Sequence, residues 1–150
     1  MFRWPYSHPP KNSFFKRGAP TAMFFCTTDN RPLQMEAHHK LEGPLSMSCC
    51  RSLEVAILNA DKHPESIVLQ AILIDNRTPY TRQILGVAPV FSVPDLRVEK
   101  PSPVPETLQF TFPASPRIEQ FDEIEVVFHR TRNPRDKSAR VAIDRFVLRP

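Results

Sequence analysis

The sequence predicts an all-β protein: an antiparallel β-sandwich, jelly-roll-like, of about six to eight strands behind an irregular N-terminal tail. Three observations lead there. Short apolar runs recur at roughly ten-residue spacing with turn-forming residues between them. Several of those runs alternate apolar and polar residues, the period of a strand with one buried face. The chain holds 17 prolines against three glycines, and proline's missing N–H and fixed φ interrupt helices, so long helices are not expected.

Residues 1–44 show no sustained period. Pro5, Pro9, Pro10, Pro20, Pro32 and Pro44 interrupt each apolar cluster, and the longest cluster is the run AMFFC at 22–26. This stretch reads as a weakly ordered tail, with the domain spanning 45–150. Its aromatic residues, among them Phe2, Trp4, Tyr6, Phe14, Phe15, Phe24 and Phe25, are more numerous than a disordered tail usually carries. Two readings therefore stay open: a partner-docking arm, or upstream sequence that does not belong to the domain.

From Leu45 the texture changes. LSMSCC is expected as a first edge strand, and SLEVAILNAD sets Leu53, Val55 and Ile57 on one face before a turn at Asn59, Asp61 and Pro64. IVLQAILI at 67–74 is apolar on both faces, which suits a central strand covered on each side or one whose outer face meets a partner. Residues 75–83 form a turn or loop. ILGVAPVF at 84–91 contains Gly86 and Pro89, so it is placed at a sheet edge or beside a bulge. The proline-rich stretch 92–106 is extended and crosses between sheets. TLQFTF then turns Leu108, Phe110 and Phe112 inward.

The last two runs, EIEVVFHR and ARVAIDRFVL, are expected to pair as a closing hairpin across the loop TRNPRDKS. In the first, Ile124, Val126 and Phe128 face a core while Glu123 and Glu125 form a wet face. In the second, Val141 and Ile143 share one phase and Phe146 and Leu148 fall on the other. A bulge near Asp144 and Arg145 would absorb the slip; burial of both faces is the alternative.

Candidate chemistry is sparse. Gly18, Gly43 and Gly86 lie far apart, so neither a phosphate-cradling loop nor a dinucleotide fingerprint is present, and there is no nucleophile elbow. No catalytic, cofactor or metal residues are assigned. His38, His39, Cys49 and Cys50 cluster within a short stretch, but adjacent HH and CC pairs lack the two- to five-residue spacing that lets two ligands turn inward on zinc. With Cys26 the cysteines number three, which argues against a disulfide framework; adjacent Cys49 and Cys50 could join only in a strained vicinal bridge, and free buried thiols are the expectation. No window approaches the roughly 18 apolar residues of a membrane span, and the N-terminus lacks the uninterrupted apolar core of a secretory signal.

The net charge of +4 divides as +3 over residues 1–45, −4 over 46–128 and +5 over 129–150. A polyanion site is thus conceivable only at the basic patch of Arg130, Arg132, Arg135, Lys137 and Arg140. It lacks exposed aromatic residues for stacking, so solvated charge is the expectation there and nucleic acid is not an expected partner. A second candidate is a ligand-binding loop set, Asn59, Asp61, Asp75, Asn76, Arg77 and Tyr80, clustered at one end of the sandwich.

The phrases SLEVAILNADKHPESIVLQAILIDN and FDEIEVVFHRTRNPRDKSARVAIDRFVL resemble a family of uncharacterised bacterial proteins that share a C-terminal β-sandwich. ARVAIDRFVLRP also loosely resembles the last strand of galactose-binding-like sandwiches. The resemblance covers about two-thirds of the chain and implies a fold; it brings no catalytic residues with it. The resulting expectation is a non-enzymatic binding or assembly module acting by protein–protein association, through strand 67–74 or an uncovered sheet edge. A carbohydrate-binding module is the alternative and a hydrolase the third reading.

Overall fold

Leu53, Val55 and Ile57 on one strand, Leu69, Ala71 and Leu73 on a second, and Ile124, Val126 and Phe128 on a third are all nearly or fully removed from solvent and form one apolar cluster. The period of two that predicts one buried face thus appears as two sheets closed over a single core. The structure is a computed structural model that describes residues 2–3, 14–17, 23–26, 34–99, 101–130 and 138–150.

Ten strands occur among the described residues: β1 (Phe2–Arg3), β2 (Phe14–Arg17), β3 (Met23–Cys26), β4 (Gln34–Ser46), β5 (Ser52–Asn59), β6 (Ile67–Asp75), β7 (Thr81–Pro89), β8 (Val104–Thr111), β9 (Gln120–Arg130) and β10 (Ser138–Arg149). A front sheet runs β1-β4-β9-β6-β7 and a back sheet β2-β3-β10-β5-β8, each fully antiparallel. The seven strands from β4 to β10 make the sandwich, as the spacing of apolar runs predicts.

Two of the register shifts keep the faces in phase. Between Ile143 and Arg145 the pairing of β10 with β5 slips by one residue at Asp144. Val141 and Ile143 therefore pack on the same core as Phe146 and Leu148, and the bulge is realised. On β7, Ile72 pairs with Ile84 but Ala71 with Gly86, so Leu85 is the extra residue. Gly86 has φ +152°, outside the range side-chain-bearing residues favour. Beyond it Val87 faces out and Ala88 packs on the core. As expected, β7 lies at a sheet edge, and residues 90–103 carry the chain from the front sheet to the back one.

Three expectations are corrected. β9 and β10 do not form a hairpin: β9 sits between β4 and β6 in the front sheet and β10 between β3 and β5 in the back one. Both runs look like pairing strands because each is a pairing strand, but with other partners. LSMSCC is no edge strand: Leu45 and Ser46 end β4, and Met47–Cys49 form a 3₁₀ turn whose first N–H donates to the Glu119 carbonyl. Cys49 and Cys50 are joined by a disulfide between adjacent residues rather than carrying free thiols. β4 itself pairs with β9 from Gln34 to Ser46.

Replacing Gly86 by Ala tests the β7 bulge. A Cβ there meets only the Phe110 side chain at 3.9 Å, so space is available and the backbone conformation is the obstacle. We expect a loss of about 1–3 kcal/mol in urea unfolding, whereas Gly43→Ala, with nothing within 4 Å and an ordinary φ, leaves the midpoint nearly unchanged.

Candidate functional site

The outer face of the front sheet is not the solvated surface that alternation predicts. Register sets its side chains in rows across the strands: His38, Glu125, Ile72 and Ile84 make one row, and Lys40, Glu123, Ile74 and Arg82 the next. A third row holds Glu36, Val127, Gln70 and Val87. Strands lie about 4.8 Å apart, so residues in a row are neighbours.

Glu123 and Glu125, expected on a wet face, are 6% and 2% exposed. A buried carboxylate is tolerated only when paired, and each is. Arg82 Nη2 donates to both oxygens of Glu125 at 2.7 Å. Arg82 stands on β7 and Glu125 on β9, so its arm must cross β6. That crossing accounts for the burial of Ile72 and Ile74, which form a small outer apolar cluster with Val127. Glu123 Oε1 lies 2.7 Å from His38 Nδ1, and its Oε2 accepts from Asn76 Nδ2 at 2.8 Å. Burial pushes the Glu123 carboxyl up, but the Asn76 and His38 hydrogen bonds and the charges of His38 and Lys40 outweigh it. The net position is below the ordinary value of 4.5.

The loop from β6 to β7 is tied to the same face. Asp75 takes the Arg77 guanidinium on both oxygens and also accepts from the Arg77 N–H. Asn76 donates from its backbone and side chain to Asp122 Oδ1. Tyr80, at the loop's end, is 57% exposed. Partial burial raises its phenol above the ordinary range. Arg82 opposes this, and Glu125, Glu123 and Glu36 reinforce it.

The six loop residues expected to cluster are divided. Asp75, Asn76, Arg77 and Tyr80 gather at this end. Asn59 ends β5 and Asp61 follows it in the β5–β6 connection, at the end of the sandwich where β6 begins rather than where it ends. There Asn59 Nδ2 donates to the Ser92 carbonyl and Asn59 Oδ1 accepts from the Asp61 N–H, so both residues shape the β5–β6 turn. Of the basic patch, Arg130 ends β9 and Arg140 contributes backbone pairing in β10; Arg132, Arg135 and Lys137 lie outside the described residues. His39 stacks on Phe146 with ring centroids 5.6 Å apart, away from His38. The His/Cys group at 38, 39, 49 and 50 does not converge.

Sequence reasoning missed Glu36 and Arg82, and weighed His38 only with His39 and the cysteines. The available signal was the i, i+2 spacing of Glu36 and His38 and the long reach of an arginine on an edge strand. Among the described residues Glu36, His38 and Glu125 offer ligand atoms that all lie within 4.8 Å of one another.

No protein-family model and no curated protein matches the chain. Two solved structures are similar to it. One is a Caldicellulosiruptor saccharolyticus CBM27-1 in complex with mannohexaose, at TM-score 0.51 and 8% identity, covering 95% of this chain and 87% of that one. The other is a CBM4 structure, at TM-score 0.47 and 11% identity, covering 92% of this chain and 77% of that one. The first likeness supports the β-sandwich fold; no relation to a bacterial family emerges beyond it.

Two measurements check this network. Arg82→Met, which strands the Glu125 charge, is expected to cost about 1–3 kcal/mol, since the arginine is part-solvated, and Arg82→Met with Glu125→Leu to recover most of it. Because Glu123 titrates lower in the folded state, its stabilisation is present above pH 4.5 and is lost as pH falls through its folded value. Glu123→Gln should therefore flatten the acid limb of the stability profile below that pH.

Proposed function

We propose that the chain is a non-catalytic carbohydrate-binding module whose ligand lies on the outer face of the front sheet, against Tyr80. The observation that carries this reading is the pairing of an exposed ring with a fixed polar floor. Tyr80 offers an apolar face for a sugar ring, and beside it Arg82, Glu125, Glu123, His38 and Asn76 already hold one another in place. Side chains locked before binding lose little entropy when a ligand arrives. Sugar hydroxyls, which both donate and accept, suit such mixed partners.

Glu123 and Glu125 are held by His38, Asn76 and Arg82 along one strand face rather than facing each other across a cleft as a hydrolytic pair does, which supports a binding role. The CBM27-1 neighbour was solved with mannohexaose, which makes that oligosaccharide the natural first probe.

A second reading, protein–protein association, rests on a separate observation. Ile84 and Val87 are 55% and 60% exposed on β7, which ends its sheet and presents unpaired backbone groups.

Calorimetric titration with mannohexaose and a panel of β-linked oligosaccharides tests the first reading. Saturable binding is expected. Tyr80→Ala should weaken it by at least about tenfold, equivalent to about 1.4 kcal/mol, with an unchanged thermal midpoint. Absence of binding across the panel, together with a concentration-dependent dimer in light scattering that Val87→Lys abolishes, transfers the function to the β7 edge.

A further inference from the structure

The outer face of the front sheet carries a charge opposite in sign to that of the chain. By composition the protein is basic, with a formal charge of +4 and a pI of about 9.2, and such a balance attracts polyanions without selecting among them. In the network on this face and its loop, Asp75 and Arg77 cancel as a pair. Glu36, Asp122, Glu123 and Glu125 then stand against Arg82 and Lys40. Four carboxylates against two cations leave a formal charge of −2, which a protonated His38 would bring only to −1. The basic excess of the sequence lies elsewhere, chiefly in residues 129–150.

The network fixes these charges in place. Arg82 holds Glu125, and Asn76 holds Asp122 and Glu123. His38 is engaged at both nitrogens, Nδ1 with Glu123 at 2.7 Å and Nε2 with Glu36 at 3.3 Å. Around it Glu36 is the most solvated carboxylate, its side chain 25% exposed against 8% for Glu123 and 3% for Glu125. A ligand lying over the face therefore meets Glu36 first. An ionised carboxylate accepts hydrogen bonds and cannot donate them. A sugar hydroxyl supplies the proton it needs; a uronate or sulfate group supplies none and brings a like charge to a surface already negative.

We propose that this face selects uncharged glycans and rejects those bearing uronate or sulfate groups, with Glu36 as the residue that sets the discrimination. The inference rests on the glycan reading and names its substrate class. Specificity of this kind comes from an uncompensated charge set against the wrong ligand as much as from contacts with the right one. Lys40 works in the opposite sense: it stands in register with Glu123 on the same face and offsets part of the negative field.

The test compares mannohexaose with the mannuronate hexamer of the same linkage, which carries a carboxylate in place of each CH₂OH. The full chain is titrated by calorimetry at about 0.01 M ionic strength, where the Debye length is about 30 Å, and again at about 1 M, where it is about 3 Å. At low salt mannohexaose is expected to bind at least about tenfold more tightly than the mannuronate hexamer. High salt should narrow that ratio, since screening removes repulsion and leaves hydrogen bonds in place. Two substitutions on β4 should move the low-salt ratio in opposite directions: Glu36→Gln narrows it by about threefold or more, and Lys40→Gln widens it. Glu36 is half-buried and Lys40 exposed, and a merely structural effect of either change would shift both affinities together. The proposal is overturned if the mannuronate hexamer binds as tightly as mannohexaose at low salt, or more tightly, as the net charge of the chain alone would have it. It is equally overturned if Glu36→Gln leaves the ratio unchanged. Equal binding of the two hexamers leaves the glycan reading standing. Binding of neither overturns this inference, and absence of binding across the whole oligosaccharide panel overturns the glycan reading with it.

Discussion

Two carboxylates buried on the outer face of a sheet whose inner face is the core govern the rest of this molecule. Glu123 and Glu125 alternate with Ile124, Val126 and Phe128 on β9, and the apolar set must face the opposite sheet. Their burial therefore requires partners from both neighbouring directions: His38 from β4, Asn76 from the β6–β7 loop and Arg82 from β7. An unpaired charge there would cost several kcal/mol, so the order of strands around β9 and the polar network constrain one another.

The arginine shows how one side chain serves two ends. By crossing β6 to reach Glu125, Arg82 neutralises a buried charge and shields Ile72 and Ile74 from water. A strand apolar on both faces is thereby accommodated in a two-layer fold with no third layer over it. The bulge at Leu85 acts further along β7: by shifting phase at Gly86 it keeps Ala88 on the core and turns Val87 outward. An exposed apolar edge and a fixed polar floor thus adjoin on one face, with Tyr80 at their end.

The β-sandwich fold, which the CBM27-1 structure shares, mounts an exposed ring and fixed polar groups on one face. The sandwich supplies rigidity: the loop bearing Asn76 and Tyr80 is held by Asp122 and Glu123 of the central strand. Side chains mounted on paired strands keep their geometry, whereas the residues at the opposite end, Asn59 and Asp61, are consumed in making a turn.

The sequence by itself determined what depends on neighbouring residues. Leu53, Val55 and Ile57, and Leu108 with Phe110, declare their buried face because strand period is a local property. The phase slip between Ile143 and Phe146 required either a bulge or burial of both faces, and the structure has the bulge at Asp144. Gly86 and Pro89 placed β7 at an edge for the same kind of reason, the loss of side chain and donor. Tertiary structure alone decided which strands pair, because β9 and β10 are equally able to pair with each other or with distant partners. It also decided whether Glu123 and Glu125 were wet. Alternation says only that they face away from the core; that His38, Asn76 and Arg82 converge on them depends on contacts separated by 43 to 85 positions in the chain. Chain connectivity leaves such distances open until the two sheets close.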